Sequence, residues 1–389
     1  MKKAIANIIS DQTIPNYIFI KEKYQEVDEL LFISSKKMEN KISWITSALA
    51  DINLPITKII LESGVEEQWG HMCNEISKNL SLDYIYLVNL TGGTKYMSMA
   101  IQTIFKSFNS EFYYIPFPKN EILTPENQID TSSPLKYRVN IREYMSLHNV
   151  VFTQKDSCKE EDYTKVFFNL FVNNKFDQTE KDCINSLRSY RNFKKLGKTI
   201  YNAKKVEINL IKSGIKDCPP TNEIDNFLEK IDFPYQEQGY LYQKEIEYLT
   251  GGWFEEYIFN LIKREINPTD ITLGVNIQQT EHANQNDLDV VFTLGNKLFV
   301  IECKTAISKI GEQGEESLFK EIAYKAATIK ATLLGLPGNS FICALSEGND
   351  RFKQTAYKMG ITYFDISYFI EPNKSNEFIS FINNLAKER

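Results

Sequence analysis

Short apolar runs alternate along the chain with longer stretches whose apolar residues recur every three or four positions. In the first part the runs fall at 1–10, with Ile5, Ile8 and Ile9, and at 29–33, 57–61, 83–90 and 111–115. Between them lie helical patterns at about 15–26, 39–51 and 66–80, and a fourth built on Met97, Ala100, Ile101 and Ile104. Strands alternating with helices predict a mainly parallel sheet covered on both faces, an α/β domain over residues 1–145. Pro118, Pro125 and Pro134 mark a loop, and residues 146–240 read as a mostly helical connector. Residues 241–389 return to α/β order, with a helix opening at Gly251, a strand at 271–279 and two strands within 287–305. A loop at 311–314, a helix at 315–334 carrying Lys320, a strand at 340–345, a helix at 351–359 and a strand at 361–364 follow. Asp365 and the residues after it are expected to be peripheral.

The two strands within 287–305 form the clearest hairpin. Both runs are rich in Val, Ile, Leu and Phe, and they meet at Gly295-Asn296, a two-residue turn signal. That turn sets Leu294 opposite Lys297, hence Asp289 opposite Glu302 and Asp287 opposite Lys304. Side chains alternate along a strand, so these last four share one face. Leu288, Val290, Phe292, Phe299, Ile301 and Cys303 make the apolar face. Two carboxylates opposed across a ladder sit roughly 5 Å apart at Cβ and repel. Either the pair belongs to a solvent-facing surface with a Glu–Lys contact, or a cation neutralises it. Oxygen ligands suit Mg²⁺ or Mn²⁺. Lys304 then orients a water or contacts a phosphate, unless Asp287 pairs with it. On the helix from Gly251 the apolar side is Phe254, Tyr257, Ile258, Leu261 and Ile262. Glu255 falls at the edge of that side and Glu256 points away, so Glu255 is the acid expected to turn inward, with Glu256 second.

Composition narrows the range of partners. A length of 389 residues suggests two or three domains. No apolar run approaches the roughly 20 residues of a membrane span. Cysteines and histidines are scattered without Cys-x-x-Cys, which argues against a zinc site and for reduced thiols in a cytoplasmic protein. A net charge of −6 counts against a generally basic nucleic-acid binder. One stretch runs the other way. From Arg188 to Lys216 the chain carries Arg188, Arg191, Lys194, Lys195, Lys198, Lys204, Lys205, Lys212 and Lys216 against Glu207 alone, interleaved with Tyr190, Phe193 and Tyr201. This is either a single-strand-binding surface, with phosphates on cations and bases on rings, or a solvated helical surface with its aromatics in the core.

The loops at 10–13, 34–37 and 91–95 all follow strands of the first domain, where open α/β sheets bind ligands. In Thr91-Gly92-Gly93-Thr94-Lys95 the glycines permit close backbone approach. The helix start behind them offers free N–H groups and a positive dipole end. Lys95, with Lys36 and Lys37 nearby, adds charge. The segment is either an anion site or a tight β-α turn with a capping Thr. It matches neither the P-loop nor the dinucleotide-binding pattern.

Ser10-Asp11-Gln12-Thr13-Ile14-Pro15-Asn16 and Asn89-Leu90-Thr91-Gly92-Gly93-Thr94-Lys95-Tyr96-Met97 resemble the two signature loops of CARF domains. These are CRISPR-associated, Rossmann-like sensors of cyclic oligoadenylates, and the resemblance covers about 1–145. The hairpin resembles the PD-(D/E)xK restriction-endonuclease-like core, with Leu288-Asp289 in place of Pro-Asp. Gly251-Gly252-Trp253-Phe254-Glu255-Glu256-Tyr257 is similar to the CARF-fused members. The implied fold is α/β throughout: a Rossmann-like CARF domain, a helical connector and a restriction-endonuclease-like domain. The resemblance implies that Asp11, Gln12, Thr13, Ser34, Ser35, Thr91, Gly92, Gly93, Thr94 and Lys95 line a messenger site shared across a homodimer. It implies Asp289, Glu302, Cys303 and Glu255 as the metal set for Mg²⁺ or Mn²⁺, and Glu255, Asp289, Glu302 and Lys304 as the catalytic set. The expected activity is phosphodiester hydrolysis of DNA, RNA or both, single strands included. Cyclic oligoadenylate, with cyclic tetra-adenylate foremost, would switch it on. Two rivals are a nucleic-acid-binding regulator that does not cut and a ring nuclease that degrades its own messenger.

Overall fold

The computed structural model describes residues 1–125, 132–154, 161–173, 177–278, 286–305, 339–345 and 350–387. The predicted loop at 311–314 and helix at 315–334, with Lys320, lie outside the described residues. Five parallel strands form the first sheet: β1 Lys2–Ile8, β2 Glu29–Ser35, β3 Ile56–Leu61, β4 Tyr84–Asn89 and β5 Ser110–Tyr113, in the order β3-β2-β1-β4-β5. Helices α1 Ile14–Lys23, α2 Glu39–Ala48, α3 Trp69–Ser77 and α4 Lys95–Phe105 connect them. Both faces of β1 are buried, as a central parallel strand requires. Ile5 shares a core with Tyr17, Ile18, Ile42 and Ile45 of α1 and α2. Ala4, Ala6 and Ile8 share another with Met72, Ile76 and Ile101 of α3 and α4. The strand order reverses at β1, which pairs with both β2 and β4. The crevice expected for ligands therefore opens beyond the carboxyl ends of β1 and β4. A small antiparallel ribbon, β6 Glu121–Leu123 with β7 Ser132–Pro134, and the helix α5 Ile141–Ser146 close this half.

The second sheet has six strands in the order β15-β14-β13-β12-β11-β8. They are β8 Val151–Gln154, β11 Asp270–Gln278, β12 Asn286–Leu294, β13 Lys297–Lys304, β14 Ser340–Ala344 and β15 Thr362–Phe364. A further ribbon pairs β9 Lys205–Glu207 with β10 Tyr240–Tyr242. Residues 146–240 do not stand apart from this half. β8 is the sheet's edge strand, antiparallel to β11. Helix α6 Glu161–Val172 packs on the helix Trp253–Glu265, with Phe168 stacked on Tyr257 at 3.7 Å between ring centroids. One core joins Phe167, Tyr190, Phe227 and Trp253 to Phe292, Phe299 and Phe341. The C-terminal helix Pro372–Lys387 is core rather than peripheral: Phe378 and Ile382 are fully buried in the same cluster. Asp365 is also buried, held by Lys353 and the backbone and hydroxyl of Ser367.

The two halves meet on the hairpin. Its second face packs Leu288, Val291, Leu298 and Val300 into one core with Ile14, Tyr17, Ile141 and Tyr144. The turn is gripped as well. Asn296, 1% exposed, accepts a hydrogen bond from Val139 N at 2.9 Å. Its amide donates to Asn120 Oδ1 at 2.8 Å and to the Tyr137 carbonyl at 3.2 Å. Asn296→Ala leaves these buried groups unpaired, and a lost partner costs about 1–3 kcal/mol. It also puts Ala at a φ of 61°, where Asn is favoured. The urea midpoint is expected to fall correspondingly, and an unchanged midpoint would remove Asn296 from the junction.

Candidate active site and sensor crevice

Gly295 and Asn296 both have positive φ, 57° and 61°, the signature of a type I′ turn. The ladder runs as expected from Leu294↔Lys297 to Val290↔Ile301. There β12 and β13 part. β13 continues beside β14, with Glu302 opposite Ile342. Asp287 lies opposite Asn276 of β11, not opposite Lys304. Gly274 of β11, with φ at 62°, interrupts the β11–β12 ladder where Asp289 would pair with it. Residues change faces across this break: Leu273 joins the same core as Val290, and Val275 joins Leu288 on the other side. Leu288 therefore faces the first domain, not the apolar side expected for it.

The divergence leaves room for side chains between the strands. Asp289 Oδ2 accepts a hydrogen bond from the Cys303 backbone N–H at 2.7 Å. Lys304 Nζ donates to Glu302 Oε1. Asp289 and Glu302 are 8% and 7% exposed, so their charges act with little screening by water. Burial of Lys304 works to lower its pKa, but Asp289 and Glu302 outweigh it and hold the ammonium above its ordinary value. Cys303 offers the site its backbone, not its sulfur. The side chain lies in the core, and burial, then Asp289, pushes the thiol well above its usual pKa.

Asp287, Asp289, Glu302 and Lys304 border one cleft of about 830 Å³, together with Glu255 and Glu256 of the Trp253 helix. Helix geometry alone misplaced Glu256, which was expected to point away from the interior. Glu256 is 3% exposed and accepts from Thr164 Oγ1 at 3.1 Å. Glu255 is only half-buried. The reason is α6, which covers the side of the helix that faced solvent in the sequence reading. Among the described residues no three His, Cys, Asp or Glu side chains converge as tightly as a bound metal requires. Arg191, Lys204 and Gln236 line the same cleft and were not foreseen there. A glycine inside a strand was the available signal for the break at Gly274.

In the first domain, loops after β1, β2 and β4 meet along one edge. Gly92 lies against β1: a Cβ there would stand 1.8 Å from the Ile8 carbonyl oxygen. Gly93 has φ at 76°, and its added Cβ would meet Ile8 Cγ2 at 2.6 Å. Thr94 caps α4, accepting from Met97 N at 3.2 Å. Thr91 Oγ1 accepts from Ile115 N at 2.7 Å. Asp11, Gln12 and Lys95 are exposed; Asp11 stands 3.7 Å from Lys41 Nζ. Thr13 and Ser34 are less available. The Thr13 hydroxyl donates to the Leu147 carbonyl at 2.8 Å, and that of Ser34 to the Ser35 carbonyl at 2.9 Å. Beneath the loop lies a buried asparagine cluster that sequence reasoning missed. Asn89 Nδ2 donates to Asn7 Oδ1 at 2.9 Å and to Asn16 Oδ1 at 3.1 Å, and Asn89 Oδ1 accepts from Thr91 N at 3.1 Å.

Residues 5–144 match the family described as the Card1 CARF domain, and residues 243–365 match the Card1-like endonuclease domain. No curated protein matches the sequence. Protein VC1899 from Vibrio cholerae has a similar fold, with a TM-score of 0.73 at 14% identity over 98% of each chain. Can2 from Sulfobacillus thermosulfidooxidans, solved with cyclic tetra-adenylate, gives 0.68 at 20% identity over 99% of this chain and 100% of its own. A type III CRISPR defence DNA nuclease activated by cyclic oligoadenylate gives 0.53 at 12% identity over 96% of this chain and 52% of its own. The chain belongs to the CRISPR-associated proteins that join a Card1-type CARF domain to a Card1-like endonuclease domain.

Proposed function

We propose that this chain is a metal-dependent nuclease that cuts DNA, RNA or both when cyclic oligoadenylate occupies its CARF domain. The observation that carries the reading is the single cleft bordered by Asp289, Glu302, Lys304 and Glu255. Carboxylate oxygens suit a hard divalent cation, so the donor set fits Mg²⁺ or Mn²⁺, held by Asp289 and Glu302 with Glu255. When bound, such a cation supplies positive charge to the developing phosphoryl transition state. The Cys303 amide fixes Asp289, and the strand fixes Glu302 two residues before Lys304. Lys304 remains an ammonium at neutral pH, which suits it to hold a water or a phosphate oxygen rather than to take a proton.

Cyclic tetra-adenylate, the molecule bound by Can2, is the messenger we assign. It would lie on Asp11, Gln12 and the Thr91–Lys95 loop, with Thr13, Ser34 and Ser35 shaping the crevice beneath. A two-fold ligand suits an isologous homodimer. Tyr96 and Met99 stay 41% and 60% exposed on α4 beside the loop, as a pairing face would leave them in a single chain.

The test incubates the protein with plasmid and with labelled single strands of DNA and RNA, with and without Mn²⁺ and cyclic tetra-adenylate. Cleavage is expected only when both are present. Strand retention without cutting would replace the reading by a binding regulator, and loss of the messenger itself by a ring nuclease.

A further inference from the structure

The basic stretch 188–216 is the motif that the proposed reaction leaves unused, and the structure divides it. Tyr190 and Phe193 are buried in the core while Tyr201 stays exposed. Lys205 pairs with Glu237 at 2.6 Å, and Lys212 pairs with Asp225. Among the described residues, no carboxylate pairs with Arg188, Arg191 or Lys204. Arg191 Nε donates to Thr250 Oγ1 at 2.7 Å, and its Nη2 to the Glu247 carbonyl at 3.3 Å. Arg188 donates to Asn185 Oδ1 at 2.9 Å and to Thr305 Oγ1 at 3.3 Å. All four acceptors are neutral. Gly251 is what lets these groups approach: a Cβ there would meet Arg191 Nη2 and Thr305 Oγ1, each at 3.3 Å.

Two guanidiniums held near each other without a carboxylate repel. Burial, then Arg191, lowers the pKa of Arg188. Such a pair is stabilised when an anion joins it. Arg191 lines the cleft that contains Asp289, Glu302 and Lys304, and Lys204 lies along the same wall. The bonds to Thr250 and Glu247 leave Arg191 with further N–H donors. A planar guanidinium fork matches phosphate oxygens better than a lysine does. Arg188 is bonded to Thr305, the residue after Lys304, so the pair is tied to the strand that carries the chemistry.

We propose that Arg191, supported by Arg188 as a positioning residue, forms a phosphate subsite for the nucleic-acid strand beside the cleavage site, an assignment that rests on the nuclease reading above. The subsite reads backbone charge, not bases, so it takes any sequence. The test uses the full chain and a short fluorescein-labelled DNA strand, with the same sequence as RNA. Binding is read in EDTA, and cleavage with Mn²⁺ and cyclic tetra-adenylate. Arg191→Gln is expected to raise both Kd and KM about tenfold while kcat stays within about twofold, as removal of one charge-assisted contact should. The slope of log Kd against log salt should fall by about 0.7, one phosphate's worth on a single strand. Arg191→Lys keeps the charge, so it should keep the salt slope and recover part of the affinity. Equal losses in Arg191→Gln and Arg191→Lys would mean a structural role and overturn the proposal. Unchanged affinity and slope, or a wild-type protein that binds no strand in EDTA, would do the same. A wild-type protein that binds the strand but never cuts it would overturn the nuclease reading, and the salt slopes would still decide the subsite.

Discussion

Glu302→Gln is expected to lower metal-dependent cleavage by about a thousandfold or more, with messenger binding unchanged. The magnitude follows from removing one charged ligand of a cation whose electrostatic contribution is several kcal/mol. Glutamine keeps the shape and so isolates the charge. Glu302 sits in β13 with its carboxylate on the Lys304 ammonium. The same change removes part of what holds Lys304 above its ordinary pKa. In the wild-type chain that raised value adds stability at all pH below the unfolded lysine's pKa. The contribution is lost only as pH rises through the folded value, so it is fully present at neutral pH. The variant should therefore also be less stable at pH 7, with Asp289 remaining as the partner that limits the loss. Single-turnover cleavage in Mn²⁺ and calorimetric titration with cyclic tetra-adenylate read the two halves separately. Undiminished cleavage would take Glu302 out of the site. Lost messenger binding would mean that the carboxylate also shapes the first domain, which lies on a different sheet.

What was legible in the sequence came from local rules that tertiary packing had no means to override. The five strands of the first domain, the helices between them and the parallel sheet follow from alternation of apolar runs and helical patterns. The hairpin register follows from a turn whose two residues both need positive φ, and Gly295-Asn296 allows that. With the turn fixed, period two carried the register as far as Val290↔Ile301; Asp289, Glu302 and Lys304 lie beyond that ladder and border the cleft where the two strands part. The failures share a different cause. Glu256 pointed to solvent on an isolated helix, and α6, about ninety residues upstream, turned that side into interior. Leu288 changed faces because Gly274, on the neighbouring strand, broke the pleat. The connector read as mostly helical, yet Val151–Gln154 within it forms the edge strand of the second sheet. In each case the deciding residue lies far away in sequence, and a local pattern carries no record of it. The basic stretch illustrates the limit: charge counting found it, but only the fold separated lysines neutralised by Glu237 and Asp225 from the arginines beside the cleft.

Gly92→Ala is expected to abolish messenger binding and messenger-dependent cleavage together, at a cost of about 3 kcal/mol or more in the stability of the first domain. Gly92 is needed for close approach, not for its backbone angle. The added methyl would fall 1.8 Å from the Ile8 carbonyl oxygen and 2.8 Å from its carbon, both in backbone that cannot yield like a flexible side chain. Ile8 ends β1, the strand paired on both sides, and its carbonyl also accepts from Asn16 Nδ2 at 2.9 Å. The loop must therefore move, not the strand. Moving it pulls Thr91 N from Asn89 Oδ1 and disturbs Ser98 Oγ, which donates to the Gly92 carbonyl at 3.0 Å. These bonds tie the loop to the asparagine cluster and to the start of α4, so the positions of Thr94 and Lys95 change with it. The cleft of the second half contains none of these residues. Strand binding by the variant in EDTA should therefore match wild type even where activated cutting is lost. Calorimetric titration with cyclic tetra-adenylate, a urea titration and the strand-binding assay together check this. A variant that binds the messenger normally and unfolds at the wild-type urea concentration would show that the loop does not lie against β1. One that loses strand binding as well would show that the crevice and the cleft are not separable sites.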